Sequence, residues 1–476
     1  MFMWNLLTLV LISPIVFVFG VYFYYVFKRK SMHRPGTVAF FHPYCDAGGG
    51  GERVLWAAIL AIRKRYPAYK MIVYTGDVSS HPEAILKKAE KRFNLPLDFS
   101  ISGDDPELTF VYLHRRTLVE ASNYPVFTLL GQSLGSVLLA LEALHSQSVG
   151  FPEIFIDTMG YAFTLPIFKY LGGSKTAAYV HYPTISTDML EKVRLRRPGY
   201  NNSRYIAQNL WVSKAKTAYY KTFAYLYGLT GRFGSMVTMV NSSWTEEHIK
   251  SIWKTNVHRI YPPCDVEDFS NISIMPDSEK INKTILSVGQ FRPEKDHALQ
   301  IRSMFELRQI LKEEEWQKVR LLIIGGCRNE EDEARVQDLK DLCKHLAVES
   351  NVEFKVNLPF HDLKKEMQKA TIGIHTMWNE HFGIAVVEML AAGLVTLAHR
   401  SGGPLMDIII EDDNSRNGFL AVHDEEYAST IALILNSSDE FRDLIRERAR
   451  SSVSRFSDEE FKISWLRAVA PLFISI

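Results

Sequence analysis

Cysteine is scarce in this chain of 476 residues, and the four present, Cys45, Cys264, Cys327 and Cys343, show neither the density of a disulfide scaffold nor the paired spacing of a zinc site. A reduced compartment is the expectation. An excess of either charge is lacking too. Fifty-five Lys and Arg oppose 54 Asp and Glu for a formal charge of +1, which excludes bulk attraction to nucleic acid and leaves any anionic partner to be held by a few local groups. The Lys-Ser/Thr of a P-loop is missing, and so is the glycine spacing of a dinucleotide fingerprint. What the chain does have is 47% apolar residues, enough to fill the cores of two to three domains at roughly 100 to 200 residues each.

One stretch departs from the average. No charged residue occurs from Met1 to Phe27, and at about 1.5 Å per helical residue that run exceeds a hydrocarbon core of roughly 30 Å. Lys28, Arg29, Lys30 and Arg34 follow it, and Tyr22, Phe23, Tyr24, Tyr25 and Phe27 stand just before them as an interfacial aromatic belt. A cleaved signal peptide would begin with positive charge and carry a shorter apolar core. Residues 1–27 are therefore expected to be a transmembrane anchor and 28–36 a basic juxtamembrane linker, with everything beyond on the cytosolic side. Asn201, Asn241, Asn271, Asn282 and Asn436 each open a glycosylation triplet and are expected to stay unmodified on that side.

Short apolar runs then alternate with helical patterns, as in parallel sheets with crossover helices. The runs are 37–41, 71–74, 154–156, 177–180 and 236–240, then 284–288, 321–324, 352–356, 372–376 and 395–398. A helix is expected after Asn241 with Ser243 and Glu246 as a capping box. Tyr261, Pro262, Pro263, Cys264 and Asp265 block helix and central strand alike, marking a boundary. The pattern predicts an α/β chain of two doubly wound domains, 37–262 and 263–455, with a C-terminal helix at 456–476 that packs back on the first. Such sheets bind ligands beyond the carboxyl ends of their strands, so a cleft between facing domains is expected. Segments 126–144 and 219–229 read equally as core helices or as helices lying against a bilayer.

Three loops carry chemistry. Gly48, Gly49, Gly50 and Gly51 separate a strand from a helix, where backbone amides can approach a ligand and a helix N-terminus can face an anion. After the matching strand of the second half come Gln290, Phe291, Arg292, Pro293, Glu294 and Lys295, whose two cations could neutralise a diphosphate or simply face solvent. The third loop sets Glu380 and Glu388 eight apart around Phe382, Gly383 and Ile384. As one helix that spacing would span about 12 Å, too far for the roughly 5 Å carboxyl separation of a retaining hydrolase. The two glutamates are better read as separate hydroxyl anchors, with amides near Gly383 and Ile384 facing phosphate.

Together, the Glu-x7-Glu element, the glycine run and the Pro-Glu-Lys loop resemble the retaining glycosyltransferases of family 4. More narrowly, residues 44–54, Tyr179 to Ser186, Gly289 to His297 and His399 to Pro404 resemble the α-1,2-mannosyltransferases that act on dolichol-linked oligosaccharides of the endoplasmic reticulum. The resemblance implies the GT-B architecture with a transmembrane helix. It implies no metal and no cofactor, with GDP-mannose as donor and dolichyl-diphosphate-linked Man3GlcNAc2 and its Man4 product as acceptors. The endoplasmic reticulum membrane and other mannosyltransferases of the pathway are the implied partners. Carried onto this sequence, Glu380 binds mannose hydroxyls, Glu388 the ribose, and Arg292 and Lys295 the diphosphate. Gly49, Gly50 and Gly383 offer amides, and His181 lies beside the reacting sugar. The broader family often has Arg where this chain has Gln290, so Arg292 is expected to substitute. His181, Glu380 and Lys295 are the catalytic candidates.

Two other readings stand beside this one. A family 4 enzyme using a different nucleotide sugar would share every glycine and glutamate above. A non-enzymatic, membrane-anchored scaffold would tolerate loss of Glu380. Lys192, Arg194, Arg196, Arg197 and Arg204 form a basic segment that either meets lipid phosphate or is an ordinary solvated loop.

Overall fold

A computed structural model describes residues 16, 19–103, 105–146, 148–189 and 210–474. The chain forms two units, the first from Met1–Asn241, Thr245–Ile260 and Lys462–Ile476, the second from Ser242–Trp244 and Tyr261–Phe461.

The first unit is a seven-stranded, fully parallel sheet in the order β3-β2-β1-β4-β5-β6-β7. Its strands are β1 (His33–Phe41), β2 (Lys70–Thr75), β3 (Leu108–Tyr112), β4 (Phe151–Asp157), β5 (Lys175–Val180), β6 (Val237–Val240) and β7 (His258–Arg259). Helices α1 (Gly50–Arg65), α2 (Pro82–Phe93), α3 (Thr128–Leu144), α4 (Leu210–Gly234) and α5 (Ser243–Trp253) connect them. A parallel sheet covered on both faces needs strands that are apolar throughout. Val38, Ala39, Phe40 and Phe41 of β1 satisfy this, all fully buried. Helix α1 sends Val54, Leu55, Trp56, Ile59 and Ile62 inward and ends on Arg63, Lys64 and Arg65, cations that complement the helix dipole.

The second unit repeats the plan with six parallel strands in the order β10-β9-β8-β11-β12-β13. These are β8 (Lys283–Val288), β9 (Val319–Gly325), β10 (Val352–Val356), β11 (Ile372–Ile374), β12 (Val395–His399) and β13 (Phe419–Ala421). Its helices include α6 (His297–Ile310), α7 (Glu330–His345), α8 (Phe360–Lys369), α9 (Ile384–Ala392), α10 (Asp424–Asn436) and α11 (Asp439–Ser452), while α12 (Asp458–Val469) belongs from Lys462 onward to the first unit. In both sheets the strand order reverses once, at β1/β4 and at β8/β11, and the loops beyond the carboxyl ends of those strands carry the candidate residues.

Several expectations need correction. Strands β3, β7 and β13 were not among the predicted runs. At the start of α5 the Ser243 N–H and hydroxyl both donate to the Asp407 carboxylate at 2.9 and 2.6 Å, and Glu246 pairs with Lys250 and Arg259.

Segment 126–144 becomes α3, with Ser136, Leu139, Ala140 and Ala143 buried and Leu130, Leu134 and Leu138 exposed. Gln132 donates to the Val119 carbonyl, and Glu142 accepts from the N–H groups of His114 and Arg115. Both polar residues that would burden a membrane span are thus used within the unit.

Most of the predicted anchor, 1–15 and 17–18, lies outside the described residues, as do Asn201 and the basic segment Lys192 to Arg204. Among the described residues no helix is long and apolar enough to cross a membrane. Residues 19–32 are helical and rest on the first unit. Tyr25 is buried and bonded to the His145 ring at 2.8 Å, and Arg29 donates to the Leu171 carbonyl at 2.8 Å.

Candidate active site

In the first unit the glycine run is shaped by a carboxylate. Gly49 is the N-cap of α1, and Glu52, three residues on, folds back to accept the Gly49 N–H. A Cβ on residue 49 would sit 2.8 Å from that carboxylate oxygen, so a side chain there would displace the Glu52 carboxylate although the backbone is ordinary, with φ −96°. The other oxygen of Glu52 lies 3.3 Å from His42 Nε2, and His42 Nδ1 meets the Thr158 hydroxyl at 2.7 Å. Burial pushes the Glu52 carboxyl up, but His42 and the loop's N–H groups outweigh it and the carboxyl ends below its ordinary range.

His42 directly follows β1 and Thr158 directly follows β4, so the chain Thr158–His42–Glu52–Gly49 crosses the reversal point of the sheet. Asp157 stiffens the same end by accepting N–H groups from Met159, Gly160 and Tyr161 and the Thr164 hydroxyl.

His181 directly follows β5. Its carbonyl accepts from the buried Asn241 side chain at 2.9 Å, and its ring packs edge-on against Tyr179. Gly51 approaches both rings, since a Cβ there would lie 3.6 Å from His181 Nε2 and 3.9 Å from His42 Cε1. The structure therefore brings Gly51 and His181 together. It differs from the expectation at Gly49, whose amide is already committed to Glu52. Gly50 and Gly51, in the first turn of α1, have N–H groups without intrahelical acceptors.

In the second unit Lys295 and Glu380 form a direct ion pair through Lys295 Nζ and Glu380 Oε2. His375 Nε2 approaches the same oxygen at 3.2 Å, and Lys295 Nζ also lies 3.3 Å from the Met377 sulfur. Glu380 is thereby paired by Lys295 through one oxygen, with the His375 ring close to that same oxygen. Burial pushes the Glu380 carboxyl up, yet the Lys295 ammonium and His375 hold it well below the usual carboxylate range. Burial lowers the His375 pKa, keeping the ring neutral. His297, the first residue of α6, is also pushed down by burial, with the Lys295 charge adding to the effect, to about 4.

Two turns hold this cluster. Thr376 accepts from Gln300 and directs its hydroxyl at the carbonyls of Lys295 and Asp296, tying the cationic loop to the end of β11. From the other side the turn after β12 grips the Glu380 backbone: Gly403 donates to the Glu380 carbonyl at 2.7 Å, and the Ser401 hydroxyl accepts from Asn379 N–H. A Cβ on Gly402 would lie 2.3 Å from the Glu380 carbonyl oxygen, and one on Gly403 would lie 2.3 Å from that of Phe382. The glycines of the His399 to Pro404 motif are thus explained by the close approach of two turns.

The spacing argument for the two glutamates changes. Helix α9 begins only at Ile384, and Glu380 stands before it in an irregular turn, so the 12 Å helical separation does not apply. Gly383, with φ +111°, swings the chain into the helix as its N-cap, leaving the amides of Ile384 and Ala385 at a free N-terminus. Phe382 is buried against Tyr261 and Phe456. Glu388 is half-buried on α9, and Arg292 lies in the cationic loop 3.8 Å from Glu294. Sequence reasoning missed His375, Glu52, His42 and Thr158. All but Glu52 directly follow a strand, and that was the available signal.

Two parallel-sheet units of this kind, with a glycine-opened helix behind the ion-paired glutamate of the second, define a GT-B glycosyltransferase fold. Solved structures agree: Anabaena HepE in complex with UDP and glucose superposes with a TM-score of 0.61 at 13% identity, covering 91% of this chain and 99% of that one. Residues 35–253 match the family model described as ALG11 mannosyltransferase N-terminus, and residues 271–452 match that for glycosyl transferases group 1. Among curated proteins, one from Mus musculus named GDP-Man:Man(3)GlcNAc(2)-PP-Dol alpha-1,2-mannosyltransferase is 52% identical over 94% of this chain and 89% of its own length. Its Homo sapiens counterpart, of the same name, is also 52% identical over the same shares. The chain belongs to the ALG11 mannosyltransferase family.

Proposed function

We propose that this chain is a retaining mannosyltransferase that moves α-1,2-linked mannose from GDP-mannose to dolichyl-diphosphate-linked Man3GlcNAc2, and then to the Man4 product. The observation that carries the reading is the Lys295–Glu380–His375 cluster standing in front of the Gly383-opened helix. With one oxygen of Glu380 committed to Lys295 and His375, its second oxygen is left to accept a mannose hydroxyl. Glu388 takes the ribose, and the Ile384 and Ala385 amides face phosphate.

The transfer proceeds on one face of the sugar. The bond from C1 to the diphosphate oxygen breaks as the bond to the acceptor oxygen forms, and the hydroxyl proton passes to the departing diphosphate. Lys295, Arg292 and helix N-termini stabilise the charge that develops there, which makes a metal unnecessary. His181, beside Gly51, positions the sugar.

The body lies on the cytosolic side of the endoplasmic reticulum membrane in this reading, with partner mannosyltransferases of the pathway. Support comes from the uncharged run 1–27. It also comes from two exposed stripes at helical spacing, Phe19, Phe23 and Phe27 on one helix and Leu130, Leu134 and Leu138 on another, which fit the lipid boundary. The test offers full-length protein in detergent GDP-mannose or UDP-sugars with a dolichyl-diphosphate Man3GlcNAc2 acceptor and sizes the product. One or two mannoses, removable by an α-1,2-mannosidase, are expected. Transfer from a UDP-sugar alone, or none at all, would reject the assignment.

A further inference from the structure

Glu52 has a role that the donor-binding picture does not assign. Its carboxylate lies at the N-terminus of α1, the place where a bound anion would compete with it, yet it is turned inward and spent on two protein groups. One oxygen accepts the N–H of Gly49, and the other faces His42 Nε2 at 3.3 Å; the Thr158 hydroxyl, 2.7 Å from His42 Nδ1, completes the chain. The Thr158 hydroxyl also reaches the Phe41 carbonyl at 3.2 Å, so it can serve either ring tautomer; where it donates to Nδ1, the Nε2–H is directed at Glu52.

The arrangement removes the first loop amide from the pool available to a ligand and leaves the next two. It also couples residue 49 to Glu52 in a conformation that does not itself need glycine: the only close obstacle to a Cβ there is the Glu52 oxygen at 2.8 Å, which a side chain at 49 would displace. Gly51, by contrast, has no contact closer than 3.6 Å, and that contact is His181.

We propose that Glu52 is a positioning residue, which with His42 and Thr158 fixes the glycine turn so that the Gly50 and Gly51 amides, and not that of Gly49, face the phosphate-bearing substrate beside His181. This rests on the mannosyltransferase reading above. The role is geometric. A glutamine at 52 can still accept from Gly49 with its amide oxygen while its NH2 donates to His42 in the other ring tautomer, whereas alanine can do neither.

The experiment compares wild type, Glu52→Ala, Glu52→Gln, Gly49→Ala and the double variant Gly49→Ala/Glu52→Ala in full-length protein. It measures GDP-mannose-dependent transfer together with hydrogen exchange of the peptide covering residues 48–51. Expected for Glu52→Ala is a kcat lower by about 10-fold to 100-fold, the usual scale for a donor misplaced by about 1 Å. The KM for GDP-mannose should move less than threefold, and the loop amides should exchange faster. Glu52→Gln should recover most of both. Gly49→Ala should resemble Glu52→Ala, and adding it to Glu52→Ala should cost less than a further twofold.

Equal losses in the Gln and Ala variants would overturn the proposal in favour of a charge or proton-transfer role. So would unchanged exchange in Glu52→Ala, or a Gly49→Ala loss that persists when Glu52 is gone. If Glu52→Ala fails to fold, the contrast between Glu52→Gln and Gly49→Ala still decides. A wild-type chain that transfers nothing rejects the functional reading instead, and the exchange measurement continues to test the turn.

Discussion

Replacing Lys295 with methionine keeps most of the side-chain volume and removes the charge, leaving Glu380 buried with His375 alone. In the wild type Glu380 is held well below its ordinary pKa, so its contribution to stability is present above the unfolded value and is lost as pH falls through the folded one. In Lys295→Met the burial that pushes this carboxyl up is no longer opposed by the ammonium, and the ionised form becomes the costly one. Breaking a buried pair from one side costs about 3–5 kcal/mol. The Lys295 side chain is 24% exposed and that of Glu380 13%, so the lower end, about 3 kcal/mol, is expected at pH 8. The penalty should shrink by pH 5, where the carboxyl of the variant takes up a proton. Denaturant melts at both pH values measure it. The double variant Lys295→Met/Glu380→Gln should regain most of the stability and none of the activity. Transfer by the single variant should fall about 10²-fold to 10³-fold, as for loss of one charge-stabilising donor. A penalty equal at pH 5 and pH 8, a double variant no more stable than the single one, or less than a threefold loss of rate would refute the reasoning.

Other tests reach other parts of the molecule. His297, with a pKa pushed down to about 4 by burial, stays neutral in the folded state while the unfolded ring protonates below about 6.5. No stability is lost above pH 6.5, and roughly 3 kcal/mol is lost between there and pH 4; in His297→Gln the slope of unfolding free energy over that window should flatten, and an unchanged slope would remove the assignment. Gly403→Ala drives a Cβ into the Phe382 carbonyl at 2.3 Å, so transfer should fall at least about 10-fold as Glu380 is displaced; activity within twofold of wild type would show that the turn does not hold the glutamate. EDTA should leave the transfer rate unchanged, and a loss restored by a divalent cation would contradict the charge-stabilising role given to Lys295 and Arg292. Glycosidase treatment of protein made in a eukaryotic host should cause no mass shift, whereas modification at Asn271, Asn282 or Asn436 would overturn the cytosolic orientation.

Much of the sheet was legible because its central strands are buried on both faces and read as unbroken apolar runs, as in 37–41 and 321–324. The missed strands are edges or fragments. β3 is an edge strand whose Thr109, Phe110 and Tyr112 are only partly buried, and β7 and β13 have two and three residues. Their pairing is dictated by neighbours far along the chain, which no local pattern displays. The site divides in the same way. Lys295 and Glu380 stand in recognisable loops, but their meeting depends on strands β8 and β11 lying side by side across 85 residues of sequence. Glu52 follows the glycine run directly, and its partner His42 lies ten residues before it in sequence. The turn of Glu52 back to the Gly49 N–H is the glutamate half of a capping box and is local, but the Thr158 that completes the chain comes just after β4, more than 100 residues later.

The last residues of the chain belong to its first unit. Trp465 is fully buried beside Tyr179, Phe473 stacks on Tyr66 at 3.8 Å, and Lys175 donates to the carbonyls of Leu472 and Ile474. During synthesis from the N-terminus the first sheet therefore leaves the ribosome with an uncovered apolar seat, filled only by residues made after the whole second sheet. The first unit cannot finish before the second sheet has been made, so a message truncated directly after that sheet would yield two unfinished folds rather than one.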